Sequence, residues 1–218
     1  MGDILDSQKY VNSTCLSLLL LEVVPTSIRV SHKLKETSNA MANIDEQTRF
    51  DTKLSSIPDD LPGTVNVLEN PLINNDDVTI RVENYGYNLG LRLSEVLMYK
   101  ISNPNISQNS STKIVDVLDI MKFVCRDVWK NLYGKQMDNL RTNHRGTFVL
   151  VDNNYKLINN LNGSKTESDT LIKSSSYIWF PCGIIRGILM SFGIDANVTA
   201  EITALPAVTF NIQTAINN

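Results

Sequence analysis

Two histidines and three cysteines are the side chains with the widest chemical reach in this sequence. His32 and His144 lie far apart, and neither stands at metal-ligand spacing from Cys, Asp or Glu. A nucleophilic Cys–His pair would have to join Cys125 or Cys182 to His144. Both cysteines fall on apolar helical faces, where a thiol packs as a small hydrophobe and has no cation to favour its thiolate. Cys15, Cys125 and Cys182 are widely separated and odd in number, so they read as three reduced, buried thiols and not as a disulfide framework. Paired carboxylates occur as Asp59-Asp60 and Asp76-Asp77, in or beside a stretch with nothing to hold them in geometry for acid–base work. There is no phosphate loop, dinucleotide fingerprint or nucleophile elbow. The residues therefore point to no catalytic group, no metal centre and no cofactor.

Two basic features stand out against that background. Arg126, Lys130, Lys135, Arg141, His144 and Arg145 crowd the end of one predicted helix and the hairpin after it. Such a patch suits an acidic partner or anionic lipid, though the interleaved Asp127 and Asp138 favour a solvated face with local ion pairs. Arg186 sits among Ile184, Ile185, Ile188 and Leu189, where a guanidinium needs a carboxylate or several carbonyls. It reads as a structural anchor first and an interface contact second.

The elements that position these residues fall into four parts. Ser7 to Leu34 is helical, with Pro25 expected to kink or end the helix near Val24 because proline lacks the amide proton and clashes one turn back. Leu18 to Leu21 is apolar nearly all round, which asks for burial from more than one side. Lys35 to Asp77 has no sustained period, holds Pro58, Pro62 and Pro71, and reads as a flexible polar insert within a single domain spanning 1–218. Val78 to Ile101 is a long helix with Val82, Tyr85, Leu89, Leu93, Val96 and Leu97 on one broad face. Its Gly86 and Gly90 stack on one side at a cost of about 1 kcal/mol each against Ala, which close approach of another helix would offset. Ile114 to Tyr133 repeats apolar residues at spacings of three and four, from Leu118 through Met121, Cys125 and Val128 to Leu132. Gly134 stops it.

Strands are expected at 138–143 and 147–152 around an Asn-His-Arg-Gly turn, and a short one at 155–158. A polar loop at 159–175 follows. A helix opened by Pro181 then runs to Phe192, with Gly193 as its stop, and two strands at 198–204 and 207–214 complete the chain. The tally is α+β: helices packed on a twisted antiparallel sheet.

Composition bounds the rest. Of 218 residues, 42% are hydrophobic and 20% charged, with a net charge of −3. That suffices for one substantial core and gives no basic excess for nucleic acid. The acidic start MGDILDSQKY resembles no signal peptide, and Asp6 stands where a myristoylation motif wants Ser or Thr. Cys15 to Val24 is about half of the ~20 residues a membrane span needs, so a soluble protein is expected, with any membrane attachment peripheral.

Leu118 to Asn153, LDIMKFVCRDVWKNLYGKQMDNLRTNHRGTFVLVDN, resembles the most characteristic block of the subunit-33 family of the trafficking protein particle (TRAPP) complex, called subunit 6 in animals. FPCGIIRG, from Phe180 to Gly187, is similar to its second signature, and VTAEIT, from Val198 to Thr203, to its C-terminal strand. GYNLGLRLSE, from Gly86 to Glu95, looks like the glycine-bearing helix of the wider family of small TRAPP subunits. The resemblance implies a plait-like α+β fold and a non-enzymatic scaffold that forms a heterodimer with the central small TRAPP subunit. That complex tethers vesicles in ER-to-Golgi and Golgi transport and exchanges nucleotide on an early-secretory Rab GTPase, which this chain would meet only indirectly. A cytoplasmic protein held peripherally at Golgi and ER–Golgi membranes follows. The family's acylated cysteine belongs to the central subunit, and Cys15 and Cys125 do not fall in that motif.

The expected subunit interface is Leu18 and Leu21 of the first helix with Gly86, Leu89, Gly90, Leu93 and Leu97 of the next. Arg186, Arg141, His144 and Arg145 are the candidate polar contacts. A small-molecule-binding module of the related bacterial fold is the alternative; it would need an internal pocket with convergent polar groups, of which only Arg186 offers itself.

Overall fold

The computed structural model describes residues 11–42, 67–70, 72–102, 114–143, 145–159, 161 and 166–215. Helix α1 (Ser13–Leu21) opens at Asn12, whose side chain accepts the Thr14 amide at 2.8 Å. That is the ordinary way an Asn satisfies an orphan N–H. Glu22 alone separates α1 from α2 (Val23–Ala42), and Arg29 reaches back to it at 2.6 Å. The break thus falls at Glu22 and not at Pro25, which occupies the first turn of α2, where its missing amide removes no necessary hydrogen bond. Read as one rod, Ser13–Thr37 is long and apolar enough by composition to cross a membrane, well beyond the Cys15–Val24 run. Yet Leu20, Val24 and Ile28 lie in the domain's own core. One face of the rod is spent on packing and the other is left over.

Helix α3 (Asp76–Ser102) starts where Asn75 accepts the Asp77 amide at 3.0 Å, with two carboxylates in its first turn as the dipole prefers. It runs parallel to α7 (Trp179–Ser191), and the two backbones touch. A Cβ added to Gly86 would collide with the Phe180 carbonyl oxygen, and one on Gly90 with that of Ile184. The reverse pairings set Gly183 against Glu83 and Gly187 against Tyr87. Glycine is used here because no side chain fits between the two main chains.

Val117–Phe123 (α4) and Trp129–Tyr133 (α5) are joined by a π-helical turn at Val124–Val128, so the expected single helix carries a bulge. The bulge lets Val124, Val128, Trp129 and Leu132 all reach the core, and the Cys125 carbonyl accepts the Met137 amide at 3.0 Å. Gly134 ends α5 at φ +79.

The sheet has strands β1 (Asn139–Thr142), β2 (Thr147–Asp152), β3 (Ala196–Ala204) and β4 (Ala207–Thr214) in the order β1-β2-β4-β3, all antiparallel. Phe148 faces Ile212 and Leu150 faces Phe210 across β2 and β4, and all four are buried. Alternate positions such as Asn197, Thr199 and Gln213 are polar and exposed, so the helices cover one face only.

Three expectations are corrected. The segment 155–158 is not a strand: Tyr155, Leu157 and Ile158 are all buried and the chain turns, with Asn159 donating to the Tyr155 carbonyl at 3.2 Å. The loop at 159–175 contains α6 (Glu167–Ser174), where Thr170 and Ser174 bond their hydroxyls to carbonyls one turn earlier, at 3.0 and 2.6 Å. Residues that disfavour helix in solution are accommodated because burial leaves their hydroxyls no water. The insert is shorter than 35–77: α2 runs to Ala42, and Val67, Leu68 and Ile73 belong to the core. Residues 43–66, with Pro58, Pro62 and Asp59-Asp60, lie outside the described residues.

Candidate functional site: an uncovered helical face

Among the described residues, most of the large hydrophobic side chains left exposed lie on helices. On α1, Leu18 and Leu19 are 62% and 67% exposed, with Cys15 further along the same side. Leu20 alone of α1 is buried, so the chain itself covers one side of this apolar helix and the expected burial from more than one side is not supplied within the chain. On α3, Tyr85, Arg92, Val96 and Tyr99 follow at intervals of seven, four and three, and so share one face. All four are exposed. They lie away from the side that carries Gly86 and Gly90 to α7. Large apolar side chains lined along two helices of a small domain are what a protein interface supplies.

The expected interface residues divide under the fold. Leu18 is exposed, while Leu21, Leu89 and Leu93 are half-buried and pack on the core from its margin. Gly86, Gly90 and Leu97 are corrected: the glycines do receive a close helix, but it is α7 of the same chain, and Leu97 is in the core. Sequence spacing reports that a helix approaches and cannot report whose. Tyr85, Arg92, Val96 and Tyr99 were missed as a set because Leu89, Leu93 and Leu97 are more apolar and drew the assignment inward.

Arg186 is anchored on α3, as the structural role expected for it requires. It pairs with Glu83 at 3.0 Å and lies over the Tyr87 ring at 5.1 Å. A partner and a π-face together hold a half-buried guanidinium. The basic cluster is dispersed. Arg126 pairs with Asp127 at 2.9 Å, and Lys135 is drawn onto Asp152, with Asp138 at 3.9 Å. Arg141 and Arg145 are exposed on the hairpin, while His144 lies outside the described residues.

Asp152 itself is fully buried and accepts from the Trp129 indole at 2.8 Å, the Asn154 amide at 2.9 Å and Lys135. Beside it Trp129, Tyr133, Tyr155 and Phe210 form one aromatic cluster, with Phe210 edge to face on Trp129 and Tyr155 edge to face on Tyr133, and the two tyrosine hydroxyls meet at 3.2 Å. Burial holds both phenols well above their usual range. This network fixes α5 to the sheet and presents nothing to solvent for chemistry.

The thiols are not alike. Cys182 is buried, Cys125 half-buried and Cys15 exposed, against the expectation of three buried thiols. Burial pushes the Cys125 thiol up to about 12 and that of Cys182 higher still, so neither is a nucleophile at neutral pH. No group of three or more potential metal ligands occurs among the described residues. A groove between Ile101, Ile114, Phe123 and Arg126 holds about 20 Å³, room for a water and not for a metabolite.

A family model described as transport protein particle (TRAPP) component matches residues 16–215. Human trafficking protein particle complex subunit 6B is 39% identical over 125 residues, covering 57% of this chain and 73% of that protein. Subunit 6A of Bos taurus is 42% identical over 95 residues, 44% of this chain and 58% of that one. An uncharacterized protein of Schizosaccharomyces pombe is 26% identical over 207 residues, 95% of this chain and 65% of that one. The crystal structure of trafficking protein particle complex subunit 3 from Naegleria fowleri, covalently bound to palmitic acid, superposes with a TM-score of 0.51 at 18% identity. It covers 64% of this chain and 81% of that one. At that identity the likeness is one of fold, and it agrees with the expected helices on an antiparallel sheet.

Proposed function

The chain belongs to the TRAPP component family of trafficking subunits, and on that footing we propose that it is a non-catalytic scaffold that pairs with the central small TRAPP subunit. The exchange reaction on an early-secretory Rab GTPase is then carried by other subunits. This chain reaches Golgi and ER–Golgi membranes only through the assembled, cytoplasmic complex. The observation that carries the reading is the exposure of large apolar side chains on both α1 and α3, with Leu18, Leu19, Tyr85, Val96 and Tyr99 in water. Burying such a patch releases about 25 cal/mol per Å², from which the ordering costs of association are subtracted.

Co-expression with the central small TRAPP subunit and size-exclusion chromatography with light scattering tests it. The parent chain should elute as a one-to-one complex. Leu19→Asp and Val96→Asp should each fold with unchanged melting but elute alone, since an unpaired charge in a desolvated seam is heavily penalised. Co-elution of both variants with the partner, as for the parent, would move the interface elsewhere, first to the hairpin bearing Arg141 and Arg145.

A further inference from the structure

We infer that the tip of the β1–β2 hairpin is a second docking site, at which Arg141 and Arg145 take up two carboxylates from an acidic segment of a further protein. Other members of the basic cluster are already engaged, since Arg126 pairs with Asp127 at 2.9 Å and Lys135 is held by Asp152. Arg141 and Arg145 are exposed, and their guanidiniums make no hydrogen bond or ion pair among the described residues. Arg29 and Arg186 show the contrast, with Glu22 at 2.6 Å and Glu83 at 3.0 Å.

The hairpin holds the two arginines in fixed places. The Asn143 side chain accepts the Arg145 amide at 2.9 Å and the Thr147 amide at 3.0 Å, and the Asn143 amide donates to the Thr147 carbonyl at 3.2 Å. Gly146 turns the chain at φ +83, and its carbonyl accepts both the amide and the hydroxyl of Thr214, at 2.9 and 3.0 Å. The tip is thus tied to β4, an inner strand, and has little backbone entropy left to lose on binding. Arg141 stands two residues before Asn143 and Arg145 two after it, which places their Cα atoms within about 10 Å of each other. An extended chain rises about 3.3 Å per residue, so Asp or Glu residues two or three apart match that spacing.

Arg141 alternates with Leu140, which packs on the core, so it stands on the sheet face that no helix covers. Its outward neighbours across the sheet are Val149, Asn211 and Thr199, all uncharged. Glu201 shares that face but stands on β3, three strands away at about 14 Å. The two charges are therefore left for an outside partner to answer. A guanidinium is a planar fork that meets a carboxylate through two parallel hydrogen bonds. Anionic membranes are held instead by clusters of four or more basic residues, or by apolar side chains that insert. The tip has two arginines, and Asn143 to Gly146 carry no large aliphatic side chain, so an acidic protein segment is the better fit. This site is separate from α1 and α3, and it stands whether or not those helices pair as proposed. A scaffold with both would join two neighbours at once.

The test titrates the full chain into a fluorescein-labelled peptide repeating Glu-Ser-Ser, read by fluorescence anisotropy, beside the same peptide with Gln in place of Glu. The parent should bind the Glu peptide about tenfold tighter than the Gln peptide, with an affinity that falls as salt rises. Arg141→Gln and Arg145→Gln should each weaken the Glu peptide severalfold, and the double variant should bind both peptides alike. Arg126→Gln, whose guanidinium already has Asp127, should bind as the parent does. Melting should be the same for all, because each side chain is exposed. Equal binding of the two peptides by the parent, or Glu-peptide binding that survives the double variant, overturns the site. Co-sedimentation with phosphatidylcholine–phosphatidylserine vesicles that the double variant loses, without binding of the Glu peptide, gives the tip to a membrane and overturns the acidic segment.

Discussion

Replacing Gly86 with alanine sets two calculable effects against each other. Alanine is the better helix former by about 1 kcal/mol, and Gly86 lies in the middle of a long helix, so propensity alone makes Gly86→Ala stabilising. Opposing this, the new methyl would lie inside contact distance of the Phe180 carbonyl oxygen and 3.0 Å from the Ile184 amide nitrogen. Those are backbone atoms of α7 and cannot rotate away. Restoring a normal carbon–oxygen separation requires the helices to part by roughly 1 Å. That movement is not confined to one site, because Gly90, Gly183 and Gly187 are seated on the same crossing. Overpacking costs about 1–3 kcal/mol in ordinary cores, and a rigid double-backbone contact belongs at the upper end or beyond. The clash should win, with a net loss of about 2 kcal/mol. In a chain of this length that lowers Tm by roughly 4–8 °C. Thermal unfolding followed by circular dichroism measures it. Asn88→Ala, on the exposed side of the same helix, serves as the control and should be close to neutral. A Gly86→Ala variant that melts at or above the parent temperature would refute the close crossing, and with it the reason for all four glycines.

Other outcomes follow from the same packing. Lys135→Met removes the cation from the fully buried Asp152, leaving it the Trp129 and Asn154 donors. The loss should be about 1–3 kcal/mol, read as a lower urea midpoint at unchanged slope, and a midpoint within error of the parent would show the pair to be decorative. In the folded protein, iodoacetamide at pH 8 should label Cys15 well ahead of Cys125 and Cys182, because burial keeps the latter two protonated; equal labelling by mass spectrometry would contradict the burial. Replacing 43–66 by a short Gly/Ser bridge should leave Tm nearly unchanged, since loop closure depends weakly on length. Extending the deletion through 77 should not be tolerated, because it removes Val67, Leu68 and Ile73 from the core.

Local chemistry in the sequence determined more of this protein than its ambiguous segments suggest. The apolar periods of α3 and of the 117–133 rod, the alternation in β2 and β4, and the stops at Gly134 and Gly193 follow from spacings of 3.6 and 2 and from the αL preference of glycine, so each element was legible where it lies. What the sequence left open were questions of partnership. Glycines four apart on α3 announce a close neighbour, but only the fold shows that Gly183 and Gly187 of α7 supply it, nearly one hundred residues away. A Thr- and Ser-rich stretch reads as loop until burial removes the water competing for its hydroxyls, and α6 forms. Asp152 looks like a turn carboxylate until Trp129 and Lys135 close on it. The apolar side chains of α1 and α3 are indistinguishable in sequence from core. Which of them stay in water was decided by tertiary packing, because one domain of this size has one interior and α7 had already filled the better face of α3.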